Sequence, residues 1–249
     1  MKAPNSYIRL ATLLFSITYS TCVIANGEGN DDKKNTTTEK RTERKAKIRR
    51  LRKFSPSIKK DDKLNSFSYH QKTYLVESDL ETVWNTYTNV KPNEAWKGPL
   101  NTFKHSYSKS KDVLYEANSS RLPAIELGMV YELNLRIANL LNVGVAFQIT
   151  ELNTDTKTIE FTYGKNNKSH GRQRIIFKEE GGKTFIIHYS NFKSESKFRD
   201  KHLYPKFHEQ CTDEFHANMK ELILQQEKIQ QNKNEIKLHE QILNEIAYK

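Results

Sequence analysis

Met129-Val130-Tyr131-Glu132-Leu133-Asn134-Leu135-Arg136-Ile137 places Tyr131, Leu133, Leu135 and Ile137 on one side of an extended chain. Glu132, Asn134 and Arg136 fall on the other. A period of two with one apolar row predicts a strand with one face on a core and one in water, as in an antiparallel sheet. The pattern recurs four more times. Val143–Glu151 aligns Val143, Val145, Phe147 and Ile149, and Thr158–Tyr163 aligns Ile159, Phe161 and Tyr163. Arg172–Lys178 aligns Ile175 and Phe177, and Thr184–Ser190 aligns Phe185, Ile187 and Tyr189. Short connections, Asn153-Thr154-Asp155 and Gly181-Gly182 among them, favour antiparallel neighbours over parallel crossovers. An apolar sheet face must be covered. The chain offers a cover in the helix-period segment from His202 to about Gln226, with Phe207, Cys211, Phe215, Met219, Leu222 and Ile223 as its stripe.

Upstream, Phe67, Tyr69, Thr73 and Tyr74 mark a strand over Ser66–Val76. Ser78 and Glu81 have the spacing of a capping box for a short helix carrying Leu80, Val83, Trp84 and Tyr87. Pro92–Trp96 reads as a second short helix, and Thr102–Tyr107 and Val113–Ala117 as weaker strands. The fold class is therefore α+β, with an antiparallel sheet of about six to seven strands and a long C-terminal helix.

Strand, two short helices, a run of strands and a terminal helix is an order that resembles the START-like, or SRPBCC, superfamily with the helix-grip fold, which includes polyketide cyclases and birch-pollen-allergen-like proteins. The residues carrying the resemblance are Tyr69–Val76 running into Ser78-Asp79-Leu80-Glu81-Thr82-Val83-Trp84, then Gly171–Tyr189 leading to the terminal helix. It spans roughly Phe67 to Gln226. The resemblance implies a curved sheet gripping the last helix, with a cavity between them for an apolar or amphipathic small molecule.

The ends differ from the middle. The net charge of +11 is concentrated in Lys33–Lys63, which holds 14 Lys and Arg against 4 Asp and Glu. Few apolar residues interrupt it, so residues 26–63 read as a disordered basic linker. Ile48, Leu51 and Phe54 recur at spacings of three, so Glu43–Phe54 would become helical on an anionic surface, with Arg44, Lys45, Arg49, Arg50, Arg52 and Lys53 as the contacts. Nucleic acid is the poorer partner, because no aromatic residue besides Phe54 interleaves these charges. Before the linker, Lys2 and Arg9 precede an apolar run, Leu10 to Ala25, that ends in Val23-Ile24-Ala25. These are the parts of a secretory signal over residues 1–25, so export to a periplasmic or extracellular space is expected; anchoring in a membrane through the same segment is the alternative. Beyond the domain at 64–226, Leu222, Ile229, Ile236 and Leu243 are spaced by seven. The second seam is polar (Gln225, Asn232, His239), so 227–249 reads as a helical tail, with oligomerisation as the alternative.

A cavity in such a fold needs apolar walls and a few inward polar groups. The candidate ligand-binding residues are Tyr131, Leu133, Leu135, Phe147, Phe161, Tyr163, Phe177, Ile187 and Tyr189 from the sheet, with Phe207, Cys211 and Phe215 from the helix. The polar parity class, including Glu132, Glu160, Arg174 and His188, is expected outside, and Arg172 and Arg174 to serve solubility. Cysteine and histidine show no metal-ligand spacing, and phosphate loops and nucleophile elbows are missing, so no cofactor is indicated. Catalysis would need an inward acid–base pair, for which only the tyrosines, His208 and His216 are candidates. The leading expectation is an exported binding protein for a lipid-like or aromatic small molecule. The alternatives are a cyclase- or hydrolase-type enzyme and an interaction protein acting through its basic linker.

Overall fold

The computed structural model describes residues 32–137 and 141–247. The expected signal segment lies outside them. Among the described residues no helix is long and apolar enough to cross a membrane. The described residues divide into two units, with the boundary between Glu43 and Arg44. Helix α1 (Asp32–Arg52) begins in the first and ends in the second.

The second unit continues with β1 (Ser68–Val76), α2 (Leu80–Asn89), α3 (Pro92–Ala95), β2 (Asn101–Ser108), β3 (Val113–Glu116) and β4 (Val130–Ile137). Then follow β5 (Leu141–Asn153), β6 (Thr158–Tyr163), β7 (Ser169–Glu180), β8 (Lys183–Ser194), a π-helical turn (Arg199–Leu203) and α4 (Tyr204–Ala247). Eight strands, one more than the upper expectation, form one antiparallel sheet in the order β1-β8-β7-β6-β5-β4-β2-β3. Helix α2 is capped by Asp79 rather than Ser78. Its carboxylate accepts the Thr82 N–H at 2.9 Å, while Glu81 pairs with Lys157.

Sheet curvature is read from α4. At one edge, Lys72 of β1 reaches Glu209 and Asp213 at 2.7 and 2.8 Å, and the Tyr74 hydroxyl donates to Asp213 at 2.8 Å. Six strands away, the Asn101 amide of β2 donates to the Cys211 carbonyl at 2.8 Å, and the backbone N–H of Asn101 to Glu214 at 2.6 Å. Strands far apart in the sheet thus hold the same turns of one helix. This is the helix-grip arrangement. Val83, Trp84, Tyr87, Met129, Tyr131, Ile175, Ile186, Met219 and Ile223 belong to the core between sheet and helix. Beyond Ile223 the helix runs on with Ile229, Ile236, Leu238, Ile242 and Leu243 exposed.

A register shift between Phe103 and His105 changes the phase of β2. Phe103 packs in the main core, whereas Tyr107, paired with Val130, faces the opposite side of the sheet. There Tyr107, Leu114 and Val130 form a second apolar cluster, and Leu51 of α1, 1% exposed, fills it with Ile48 and Phe54 alongside. Thus the expected disordered linker is, from Arg44, part of the folded unit. The apolar trio spaced by three packs on the sheet's outer face. Arg50 pairs with Glu132, Arg52 pairs with Asp112 at 2.5 Å, and Arg44 donates to the Leu114 carbonyl at 3.5 Å. Lys45, Arg49 and Lys53 stay exposed. Past α1, residues 54–66 form a strap across β6–β8, through Ser57 N–H to the Tyr163 carbonyl at 2.7 Å and Lys165 N–H to the Ser55 carbonyl at 3.0 Å.

Candidate functional site

Strand β8 carries the main departure from expectation. Its inward row is Thr184, Ile186, His188, Ser190 and Phe192, while Phe185, Ile187 and Tyr189 lie on the other face. The cause is the two-residue Gly181-Gly182 turn. It sets Glu180 opposite Lys183, hence Phe177 opposite Ile186 and Ile175 opposite His188. Since Ile175 and Phe177 are core residues, Ile186 and His188 must be too. Ile187 and Tyr189 are therefore removed from the interior site, and His188, expected on the surface, is 3% exposed.

This places polar side chains where a core is expected, and they pair with one another. The Tyr87 hydroxyl of α2 lies 2.7 Å from His216 Nδ1, His216 Nε2 lies 2.8 Å from His188 Nδ1, and His188 Nε2 lies 2.6 Å from Gln173 Oε1. Gln173 Nε2 donates to the Tyr163 hydroxyl, which bonds Tyr204, and Tyr204 closes on Ser190 at 3.1 Å. With the Gln173 oxygen toward His188, the donors are assigned in one direction. His188 donates from Nε2 and accepts at Nδ1 from His216, whose Nδ1 accepts from Tyr87. Each imidazole is then neutral. Burial, reinforced by the neighbouring histidines, holds the His188 pKa well below its ordinary value. Burial, with His208 and Lys72 nearby, brings His216 down to about 3. Tyr74 stacks on His216 with ring centroids 4.0 Å apart.

Two groups beside this chain have no protein partner. Both ring nitrogens of His208 are buried and unpaired, its ring stacked on Tyr204 at 5.1 Å. The Tyr131 hydroxyl is likewise buried and unpaired, with its ring against Trp96 and Phe147.

A void of about 30 Å³ lies where α2 and α3 meet α4, walled by Tyr87, Val90, Ala95, Trp96, Ile125, Phe147, Ile149, Ile159, Phe161, Ile175 and Phe215. The resemblance implied a cavity for a small molecule; what is present here has the size of one water molecule. Of the residues expected to bind ligand, Phe147, Phe161 and Phe215 wall this void. Tyr131, Leu133, Tyr163 and Phe177 are core residues outside its wall, and Leu135 packs against that core. Phe207 and Cys211 are half-buried, and burial pushes the Cys211 thiol up to about 12, which keeps it protonated and unreactive. Tyr87, Trp96, Gln173, His188, Ser190 and Tyr204 were not among the expected site residues. Among the described residues, no group of three or more His, Cys, Asp or Glu is placed to hold a metal ion.

No family model matches the sequence, and no curated protein matches it. Solved structures do. Norcoclaurine synthase from Thalictrum flavum, in complex with dopamine and hydroxybenzaldehyde, is 8% identical, with a TM-score of 0.49 over 83% of this chain and 98% of its own. Major latex-like protein 151 from Panax ginseng is 8% identical, with a TM-score of 0.47 over 64% of this chain and 98% of its own. Ara h 8.0201 is 10% identical, with a TM-score of 0.45 over 64% of this chain and 99% of its own. The eight-stranded antiparallel sheet clasping α4 has the helix-grip arrangement.

Proposed function

We propose that this chain is a binding protein for a hydrophobic or amphipathic small molecule, held between the curved sheet and α4. The observation that carries the reading is the aromatic-walled void at Tyr87, Trp96 and Phe215, with the Tyr131 ring packed against Trp96. Ligand pockets commonly measure roughly 300–1,000 Å³, so occupancy requires the α2–α3 corner to swing away from α4. Few polar contacts tie that corner down. Asn218 donates to the Ala95 and Lys97 carbonyls at 2.9 and 2.8 Å, and Thr86 donates to Gln226 at 2.8 Å. These three can be exchanged for water at small net cost, and the buried Tyr87–His216 bond must open with them. The ligand would have an apolar body against Trp96 and Phe215 and one polar group for Tyr131.

Export through residues 1–25 belongs to the same proposal, with Lys45, Arg49 and Lys53 meeting an anionic membrane surface. Native mass spectrometry of the protein purified from its own host tests the binding reading. A bound small molecule is expected. A bare chain that also takes up no 1-anilinonaphthalene-8-sulfonate would overturn it.

One observation favours a second reading, catalysis of a proton transfer: Tyr87 both walls the void and heads the Tyr87–His216–His188 chain. Under that reading Tyr87→Phe retains the bound molecule but loses its turnover. Equal turnover by both proteins would remove it.

A further inference from the structure

The face of the sheet turned away from α4 holds a second pocket, of about 290 Å³, lined by Lys60, Leu64, Arg172, Arg174, Tyr189 and Asn191. Its floor is a block of two cross-strand pairs, Arg172 opposite Asn191 and Arg174 opposite Tyr189. Its roof is the strap. Gly171 N–H donates to Ser57 Oγ at 3.0 Å, Arg172 donates to the Lys59 and Lys60 carbonyls at 3.2 and 3.0 Å, and Lys193 donates to Ser66 Oγ at 3.2 Å. The strap is thereby held at both ends, with space left beneath its middle.

We propose that this pocket is a ligand site separate from the helix-grip interior, and that it takes an oxyanion, phosphate or carboxylate, carried on a flat apolar body. The lining contains three cations and no carboxylate. Glu160, 2% exposed, partly balances them from beside the pocket, but its oxygens already accept from Thr150, Arg172 and Arg174. Glu151 reaches only Arg174, at 3.4 Å. Two carboxylates therefore face two guanidinium groups, and the Lys60 charge is left over.

The Nε–H groups of both arginines are buried without a partner, and Arg172 is only 8% exposed. An oxyanion in the pocket would be held by the Lys60 ammonium and the outer guanidinium N–H groups of Arg174, through charge-assisted hydrogen bonds. Asn191 supplies a neutral polar group, and the Tyr189 ring and Leu64 supply flat apolar surface for the rest of the ligand.

The test uses the full chain with phenyl phosphate and benzoate, read by isothermal titration calorimetry at low salt. Binding of either oxyanion is expected, weakening as salt rises. Arg174→Gln and Lys60→Gln should each weaken it about 10-fold or more, as loss of a charged hydrogen bond would. Lys60 is exposed, so its variant leaves the buried Arg172–Glu160 pair intact, whereas Arg174 also holds Glu160 and its variant is read beside its thermal unfolding. Leu64→Trp, which fills the pocket from the roof, should abolish binding while leaving thermal unfolding cooperative. The proposal is overturned if neither oxyanion binds the wild type, or if binding survives in all three variants.

Discussion

His188 Nδ1 of β8 and His216 Nε2 of α4 lie 2.8 Å apart, bridging sheet and helix through two neutral, buried imidazoles. A second proton on either ring would put an unpaired charge in the core. Unfolded histidine takes up its proton near pH 6.5, whereas burial lowers His188 and His208 well below that and His216 to about 3. Between those limits the unfolded chain binds more protons, so these groups cost no stability above about pH 6.5 and an increasing amount as pH falls toward 3.

The expected outcome is a loss of about 1.4 kcal/mol per pH unit for each such histidine below pH 6.5, measured by urea denaturation across pH. His216→Asn, less stable at neutral pH, should lose stability less steeply over the same range. Burial raises the Glu132 carboxyl, but His105 and Arg50 more than offset this and hold it at about 2. Its contribution is present above 4.5 and fades between 4.5 and 2, so pH 6.5 to 5 isolates the histidines.

Tyr87→Phe removes the donor to His216 Nδ1 and leaves a buried acceptor unpaired. A destabilisation of about 1–3 kcal/mol is expected. Chemical denaturation of the two proteins checks this. A variant as stable as the wild type would mean that the Tyr87–His216 bond contributes nothing.

Leu51→Ala distinguishes a packed α1 from a loose tether. With Leu51 buried against Tyr107, Leu114 and Val130, the change should cost about 2–5 kcal/mol. It should also expose the Arg44–Lys53 stretch to trypsin at low protease concentration. Unchanged stability and an unchanged digestion pattern would place α1 outside the fold.

Gly171 has φ +131°, and a Cβ there would lie 1.9 Å from the Asn191 carbonyl oxygen. Gly171→Ala should therefore separate β7 from β8 and release the strap, lowering the melting temperature or preventing folding. Gly144→Ala, with nothing within 4 Å, should change stability by less than about 1 kcal/mol. Comparable melting temperatures for the two variants would contradict the placement of Gly171.

The five clear strands and the amphipathic helix were legible because a period of two or of 3.6 is a local property of the chain. The interior polar chain was hidden for a related reason. His188 and Ser190 share the parity opposite to Phe185, Ile187 and Tyr189, so within that single strand they read as an outward row. The correction was nevertheless within reach of the sequence. A two-residue Gly181-Gly182 turn cannot put Phe177 and Ile187 on one face, because the positions paired across it are Phe177 and Ile186. The phase change in β2 left no comparable mark.

The basic segment was misjudged on composition. Its charges suggested a chain unable to order itself, but ordering came from a surface outside the segment. Tyr107, Leu114 and Val130 become an outer apolar patch only after the register shift in β2. Ile48, Leu51 and Phe54 had announced a helical stripe without saying what would meet it.

By itself the amino-acid order determined which segments extend, which coil, and that an oily sheet would be closed by its last helix. These follow from backbone geometry and side-chain periodicity over a few residues. Only the tertiary structure decided that the sheet bends far enough for β1 and β2 to hold the same helical turns. It also decided that the space so enclosed is occupied by histidines, tyrosines and a glutamine, and that a basic strap roofs the opposite face. Those outcomes depend on pairing between residues as much as 141 positions apart, such as Lys72 and Asp213, which no local pattern encodes.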